Sequence, residues 1–461
     1  LQPYTQDPAH GNAALSSVAL VYLMQGEIAQ ALQTAEQVQQ RDAGNENAAW
    51  VFLRFLRAQS LTQEAANAAS EAAAAPSTTN KTQAQTRAQA AQAVEQATAQ
   101  VWTAARVQAA QGGVARFLSA PGAKPSVEFR MMYAAYLAMD LQQFQTALEQ
   151  VQLGLKEKPE SAQLYFLQGT FQAAQRQLTA ALPSYKQALR LLQSGVQKSE
   201  SEKTGGRVEK DRVLLELART TLDLHQPAQA QTWLDQLEDA DGFEAQSLHA
   251  RVLAQQGQQP AALALLRGIR ESAVVSAKMK LMAQLVLLND AEQYQTAYET
   301  LQQWQAQNPK DHSLDYNFAM QAEKLKRYDE MEKRLRTLMA QQPNDAQAYN
   351  SLGYSLAERN LRLPEAKALL EKAQALAPGN PMITDSLGWA EYRLGDLKAA
   401  RDHLAFAYAH LRDPEIGTHY GEVLWVSGDQ EGARRVWRGV QADAGENAAL
   451  QATLKRLRVQ W

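Results

Sequence analysis

The chain has 461 residues, 46 Lys and Arg against 49 Asp and Glu, and no cysteine. A net charge of −3 gives no support to a strongly basic surface that would hold nucleic acid by counterion release, and the missing thiols exclude disulfides, zinc-thiolate sites and cysteine nucleophiles. Ala, Gln, Leu and Glu crowd the sequence while β-branched and aromatic clusters are scarce, which reads as all-α.

At the N-terminus, QGEIAQALQTAEQV carries a Gly26 and Ala31 pair inside helical periodicity, and helix-pair units are expected to start near Asn12 and Glu46. From about Leu61 to Gln111 the rhythm loosens. A polar breaker, SEAAAAPSTTNKTQ, precedes a helix with a thin apolar stripe at Val94, Val101, Trp102 and Val107. The expectation is degenerate repeats with a loop, disordered over Ala73 to Thr82.

The rhythm resumes near Glu128 and Ala162, where Ala147 and Pro159, then Gly169, Ala181, Tyr185 and Ala188, hold the same phase. SGVQKSESEKTGGRVEKD, Ser194 to Asp211, is charged and contains a Gly pair, so a solvated loop is expected there. Further starts follow near Asp211, Phe243, Lys278, His312, Ala346, Pro381 and Pro414. The organisation expected is 1–127 as N-terminal repeats with the Ala/Gln-rich insertion, 128–193 as repeats, 194–210 as loop, and 211–461 as continuous repeats with a C-terminal capping helix.

The period is clearest in the last third. Leu352-Gly353 recurs as Leu387-Gly388, and Gly421 continues the series. Ala366, Ala400 and Ala433 are followed four residues on by Leu370, Leu404 and Trp437, while Pro309, Pro343 and Pro378 close successive units. Gly inside a helix costs roughly 1 kcal/mol against Ala. Close packing of antiparallel partners at Gly388 and Ala400 would repay that cost, and Gly395 would serve the turn. Small residues at two fixed points and a closing Pro, every ~34 residues, match the tetratricopeptide pattern. The fold expected is therefore a right-handed superhelical solenoid of stacked helix-turn-helix repeats.

Nothing in the sequence organises catalysis or a cofactor. His403, His410 and His419 lack HExxH spacing and are expected to be neutral and on the surface. Ser351 and Ser386 lie outside any GxSxG elbow, and there is no phosphate-binding GxxxxGK[ST] loop. Arg434, Arg435, Arg438, Lys455, Arg456 and Arg458 fit the wet face of closing helices. Apolar runs such as Leu285 to Leu288 fall far short of the ~20 residues that span a bilayer. No charged n-region or apolar h-region opens the sequence at Leu1, so any targeting segment is expected to lie outside it.

Function should then reside on the concave wall formed by the first helix of each repeat. Repeat phase assigns to that groove Tyr316, Met320, Asn350, Tyr354, Asp385, Trp389, Tyr392, Arg393, Thr418, Glu422 and Trp425. Trp, Tyr and Arg are the side chains that dominate binding hot spots.

Three consecutive blocks, AYNSLGYSLAERNLRLPEAKALLEKAQALAPGNP, ITDSLGWAEYRLGDLKAARDHLAFAYAHLRDPEI and GTHYGEVLWVSGDQEGARRVWR, resemble the proteobacterial tetratricopeptide outer-membrane lipoproteins that act as adaptors for a periplasmic carboxyl-terminal processing protease. The likeness covers about Asn344 to Arg438 and is carried by Tyr349, Leu352-Gly353-Tyr354, Leu387-Gly388-Trp389 and Gly421-Glu422. It implies a non-catalytic periplasmic lipoprotein that binds the protease and its cell-wall hydrolase substrates. The lipobox cysteine of such lipoproteins is absent here, so attachment would depend on a segment not in this sequence. A general scaffold for another envelope or secretion complex is the alternative.

Overall fold

A computed structural model describes residues 11–58, 103–194, 210–272, 275–309, 311–444 and 447–459. Among the described residues every regular element is a helix. The chain forms two compact units, Leu1–Pro159 and Glu160–Trp461. Their boundary lies at Pro159, which holds the phase of the closing prolines.

In the first unit, Gly11–Met24 pairs with Ile28–Arg41. The helix over 46–58 is joined by Ala104–Ser119, and Val127–Ala135 runs through a π turn, Tyr136–Asp140, before Phe144–Glu157. An aromatic core holds the unit together: Phe129 meets Phe117 at 5.0 Å and Trp50 at 5.4 Å between ring centroids, both edge-on. A Cβ at Gly113 would stand 2.4 Å from Phe52 Cδ2, so only glycine lets Ala104–Ser119 lie so close. Val107 packs on this core. Val94, Val101, Trp102 and the 73–82 segment lie outside the described residues.

The second unit is a run of helix pairs: Ala162–Ala174 with Leu178–Gln193, Lys210–Asp223 with Pro227–Leu234, Phe243–Gln255 with Gln259–Gly268, and Ala277–Asp290 with Tyr294–Gln307. Asp315–Lys324 with Tyr328–Gln341, Ala346–Glu358 with Leu363–Leu376, Pro381–Leu394 with Leu397–His410, and Pro414–Val426 with Gln430–Ala444 continue it. Ala448–Arg456 ends the run, burying Leu450 and Leu454. Each pair is named below by the first residue of its first helix. Observed starts follow the expected ones closely, the largest displacement being from His312 to Asp315. The expected 194–210 loop lies outside the described residues except at its ends, where one helix stops at Gln193 and the next begins at Lys210.

Local signals start and stop these helices. Ser161, Ser276, Asp345, Asn380, Asp413 and Asn447 each accept a hydrogen bond from a backbone N–H of the first turn. Asn308, Gln342 and Ala377 end second helices in non-helical backbone directly before Pro309, Pro343 and Pro378, as a following proline demands. The turn inside each pair reverses through a left-handed residue, with a second, Arg362, in the Ala346 pair. Gly395 adopts φ 90°, and its N–H bonds Tyr392 O while the Asp396 N–H bonds Glu391 O. Lys326 and Asn360 make the same turn at φ 59° and 57° without being glycine.

Gly353, Gly388 and Gly421 have the other role expected of them. A Cβ at Gly353 would stand 2.6 Å from Leu370 Cγ, at Gly388 2.8 Å from Leu404 Cγ, and at Gly421 2.1 Å from Trp437 Nε1. Leu370, Leu404 and Trp437 are fully buried, each contributing roughly 2–3 kcal/mol of burial, which outweighs the propensity loss at the glycine.

The two kinds of glycine should therefore fail differently. Gly421→Ala forces Trp437 to move and should cost about 2–3 kcal/mol. Gly395→Ala, with open space around its Cβ, should cost only the ~1 kcal/mol of a left-handed alanine. Urea unfolding followed by circular dichroism measures both.

Candidate protein-binding face of the second unit

Side chains on successive first helices bond one another at a separation of about one repeat. The Tyr316 hydroxyl pairs with Ser351 Oγ at 3.0 Å, Gln321 Nε2 donates to Asn289 Oδ1 at 2.8 Å, and Trp389 Nε1 donates to Glu358 Oε2 at 2.7 Å. His419 Nδ1 lies 3.1 Å from both carboxylate oxygens of Asp385, and the Tyr392 hydroxyl donates to Glu422 Oε1 at 2.9 Å. A carboxylate can only accept, so the His419 proton toward Asp385 sits on Nδ1.

One bond breaks that rule. The Tyr354 hydroxyl donates to Glu415, 61 residues away, bridging the Ala346 and Pro414 first helices across the Pro381 helix between them. Residues 383 to 391 of that helix are all buried. Trp389, 4 % exposed, stacks on His419 with centroids 4.1 Å apart, and the Arg393 guanidinium sits 5.7 Å from its ring centroid.

This changes what several expected groove residues offer. Asp385, Trp389, Thr418 and Glu422 are buried in the unit rather than laid open, because the side chains of neighbouring repeats reach over them. The Thr418 hydroxyl bonds Pro414 O, and Glu422, 1 % exposed, is gripped by both Arg456 nitrogens at 2.8 and 2.5 Å. Tyr316 and Met320 are half-buried against the core, and Asn350 is half-buried with no hydrogen-bond partner for its Oδ1. Trp425 packs on Trp437 at 5.8 Å beneath Arg434. Tyr354, Trp389, Thr418 and Glu422 line one shared cavity of about 1030 Å³. His419, Glu358, Glu415 and Arg456 line it too, joined by Arg176, Asp223 and His225 from the start of the unit.

His419 corrects the expectation of neutral surface histidines. It is buried: burial disfavours its charge, but Asp385, Glu415 and Glu358 outweigh this and raise its pKa. His403 is also raised, chiefly by its hydrogen bond to the buried Glu391, which Lys367 approaches at 3.2 Å. His410 bonds its own helix at Phe406 O, so the three histidines do not converge. Arg456 is exposed, and its guanidinium also reaches the buried Glu422. Tyr354 is pushed up by burial and then by Glu415, and burial followed by Glu422 pushes Tyr392 up to about 12.

Position in the repeat holds the signal for His419. It occupies the place of Ser351 and Ser386, one repeat beyond the Asp385 it binds.

A family model described as the tetratricopeptide repeat protein 21 ARM repeat matches residues 159–301. The chain is 41% identical over 135 residues to the TPR repeat-containing protein PA4667 of Pseudomonas aeruginosa. This is a tetratricopeptide-type repeat protein. The match takes in 29% of the tetratricopeptide chain and 23% of that relative, so the chain spans under a quarter of the relative's length. Among solved structures, the thermophilic protein TTC0263 of Thermus thermophilus is 22% identical, with 40% of this chain and 100% of that one covered and a TM-score of 0.36. MamA of Desulfovibrio magneticus is 18% identical, covering 34% of this chain and 93% of that one at a TM-score of 0.29. Among the described residues of this tetratricopeptide-type protein, no helix is long and apolar enough to cross a membrane.

A raised histidine stabilises the folded state fully below its unfolded pKa of ~6.5, and that contribution is lost as pH rises through the higher folded value. The thermal midpoint should therefore decline as pH climbs above ~6.5. Asp385→Asn should flatten the decline and lower the His419 pKa, read from its imidazole resonances. Glu422→Gln should return Tyr392 from about 12 toward the ordinary value of ~10, read by NMR of ring-labelled tyrosine.

Proposed function

We propose that this protein is a non-catalytic adaptor that holds a partner polypeptide on the concave face of its second unit. The partner on this reading is a periplasmic carboxyl-terminal processing protease, brought together with its cell-wall hydrolase substrates. One observation carries the scaffold: first helices stand side by side and leave a large cavity, open to solvent, lined by aromatic and charged side chains. Such repeat surfaces suit extended partners because each repeat adds another strip of wall. The protease enters through the resemblance of Asn344 to Arg438. On the same reading the protein works in the periplasm, attached to the outer membrane by a lipid that this sequence does not carry.

Trp389 is a poor probe of the groove. Removing a buried tryptophan costs about 3–5 kcal/mol and would abolish binding by unfolding. Glu358 and Glu415 are exposed, so Glu358→Gln/Glu415→Gln removes the charge of the wall while keeping the acceptors that Trp389 and Tyr354 bond. The wild-type chain should co-purify with the protease from envelope extracts, and the double variant should recover at least about tenfold less with its circular dichroism unchanged. Recovery of a different envelope complex, with no protease, would replace this partner by another. Undiminished recovery by the double variant would move the binding surface elsewhere.

A further inference from the structure

The chemistry of the cavity in the second unit fits one kind of occupant. Five carboxylates line it, from Asp223, Glu358, Asp413, Glu415 and Glu422, against two guanidinium groups, from Arg176 and Arg456. Arg456 is taken by Glu422, and Asp223 is held by Arg251 at 2.8 Å from outside the lining. Among the described residues no Lys or Arg nitrogen forms an ion pair with Glu358 or Glu415. Both are exposed, and both touch the aromatic floor, Glu358 through Trp389 and Glu415 through Tyr354.

Two groups in that floor report the same negative field: Glu415, Glu358 and Asp385 all act to raise the Tyr354 hydroxyl and the His419 imidazole. An acidic tail would meet those carboxylates, with Arg176, His225 and the Asp385-held His419 as the other basic groups of the lining. At about 1030 Å³ the cavity reaches the upper end of the ~300–1,000 Å³ that small ligands occupy, which leaves room for a length of chain.

We propose that this cavity takes an extended, basic segment of the partner polypeptide, with a lysine or arginine side chain seated at the Glu358–Glu415 rim. The inference rests on the adaptor reading and adds to it the charge of the recognised segment. Arg176, in the same lining, sets the limit on how basic that segment can be.

Fluorescence anisotropy with the full chain tests this. The probe is a short fluorescein-labelled peptide alternating Lys with Ser, and its counterpart alternates Glu with Ser. The lysine peptide should bind, more weakly as salt rises, and the glutamate peptide should not. Glu358→Gln/Glu415→Gln keeps both hydrogen-bond acceptors and should weaken binding at least about tenfold. Arg176→Ser should tighten it.

Carbodiimide coupling of the bound lysine peptide to the unaltered chain gives a measurement that no variant's folding can confuse. Cross-links should map to Glu358 or Glu415. Equal binding of the two peptides, unchanged affinity of the double glutamine variant, or cross-links only at other carboxylates would overturn the proposal. Failure here while the protease still co-purifies removes this inference alone. Loss of co-purification while the lysine peptide still binds removes the named protease and leaves the cavity's preference standing.

Discussion

Everything in the second unit depends on how near the two helices of a pair can come. At Gly353, Gly388 and Gly421 the approach is closer than any side chain allows, and a large apolar residue of the partner helix fills the space. In these three pairs that contact locks the two helices as a close-packed wedge. A wedge of constant size can be laid against the next in only one way, so spacing and register propagate from pair to pair. The turn glycine serves a separate need. Lys326 and Asn360 show that the same left-handed turn forms without glycine, whereas no other residue fits at the helix contact.

Once the wedges are fixed, first helices stand at regular spacing, and their polar side chains meet at one-repeat intervals. Charges buried by this arrangement are individually costly. Glu422, Glu391 and Asp385 are tolerated because each is met by a cation, an imidazole or a hydroxyl from another helix. The bonds of Glu422 and Asp385 form only when adjacent repeats are in register, so they penalise slippage of one pair along the next.

The period was legible because glycine, alanine and proline at these sites have backbone consequences that do not depend on the partner. Helix starts followed, since Asp345, Asn380 and Asp413 cap within a few residues of themselves. Burial on the concave face was not legible. Trp389 stands in the same repeat position as Tyr354, yet it is enclosed by Glu358 from the preceding repeat and His419 from the following one. The Tyr354–Glu415 bond skips a repeat altogether, and no pattern with a single period contains it. His419 looked isolated because its partner lies 34 residues back, in another hairpin.

That skipping bond also makes the unit mechanically uneven. A coil joined only between neighbours lengthens like a spring, each junction opening a little. Between Ala346 and Val426 the side chains of Tyr354 and Glu415 act as a strut across two junctions at once, so elongation there requires the strut to part first.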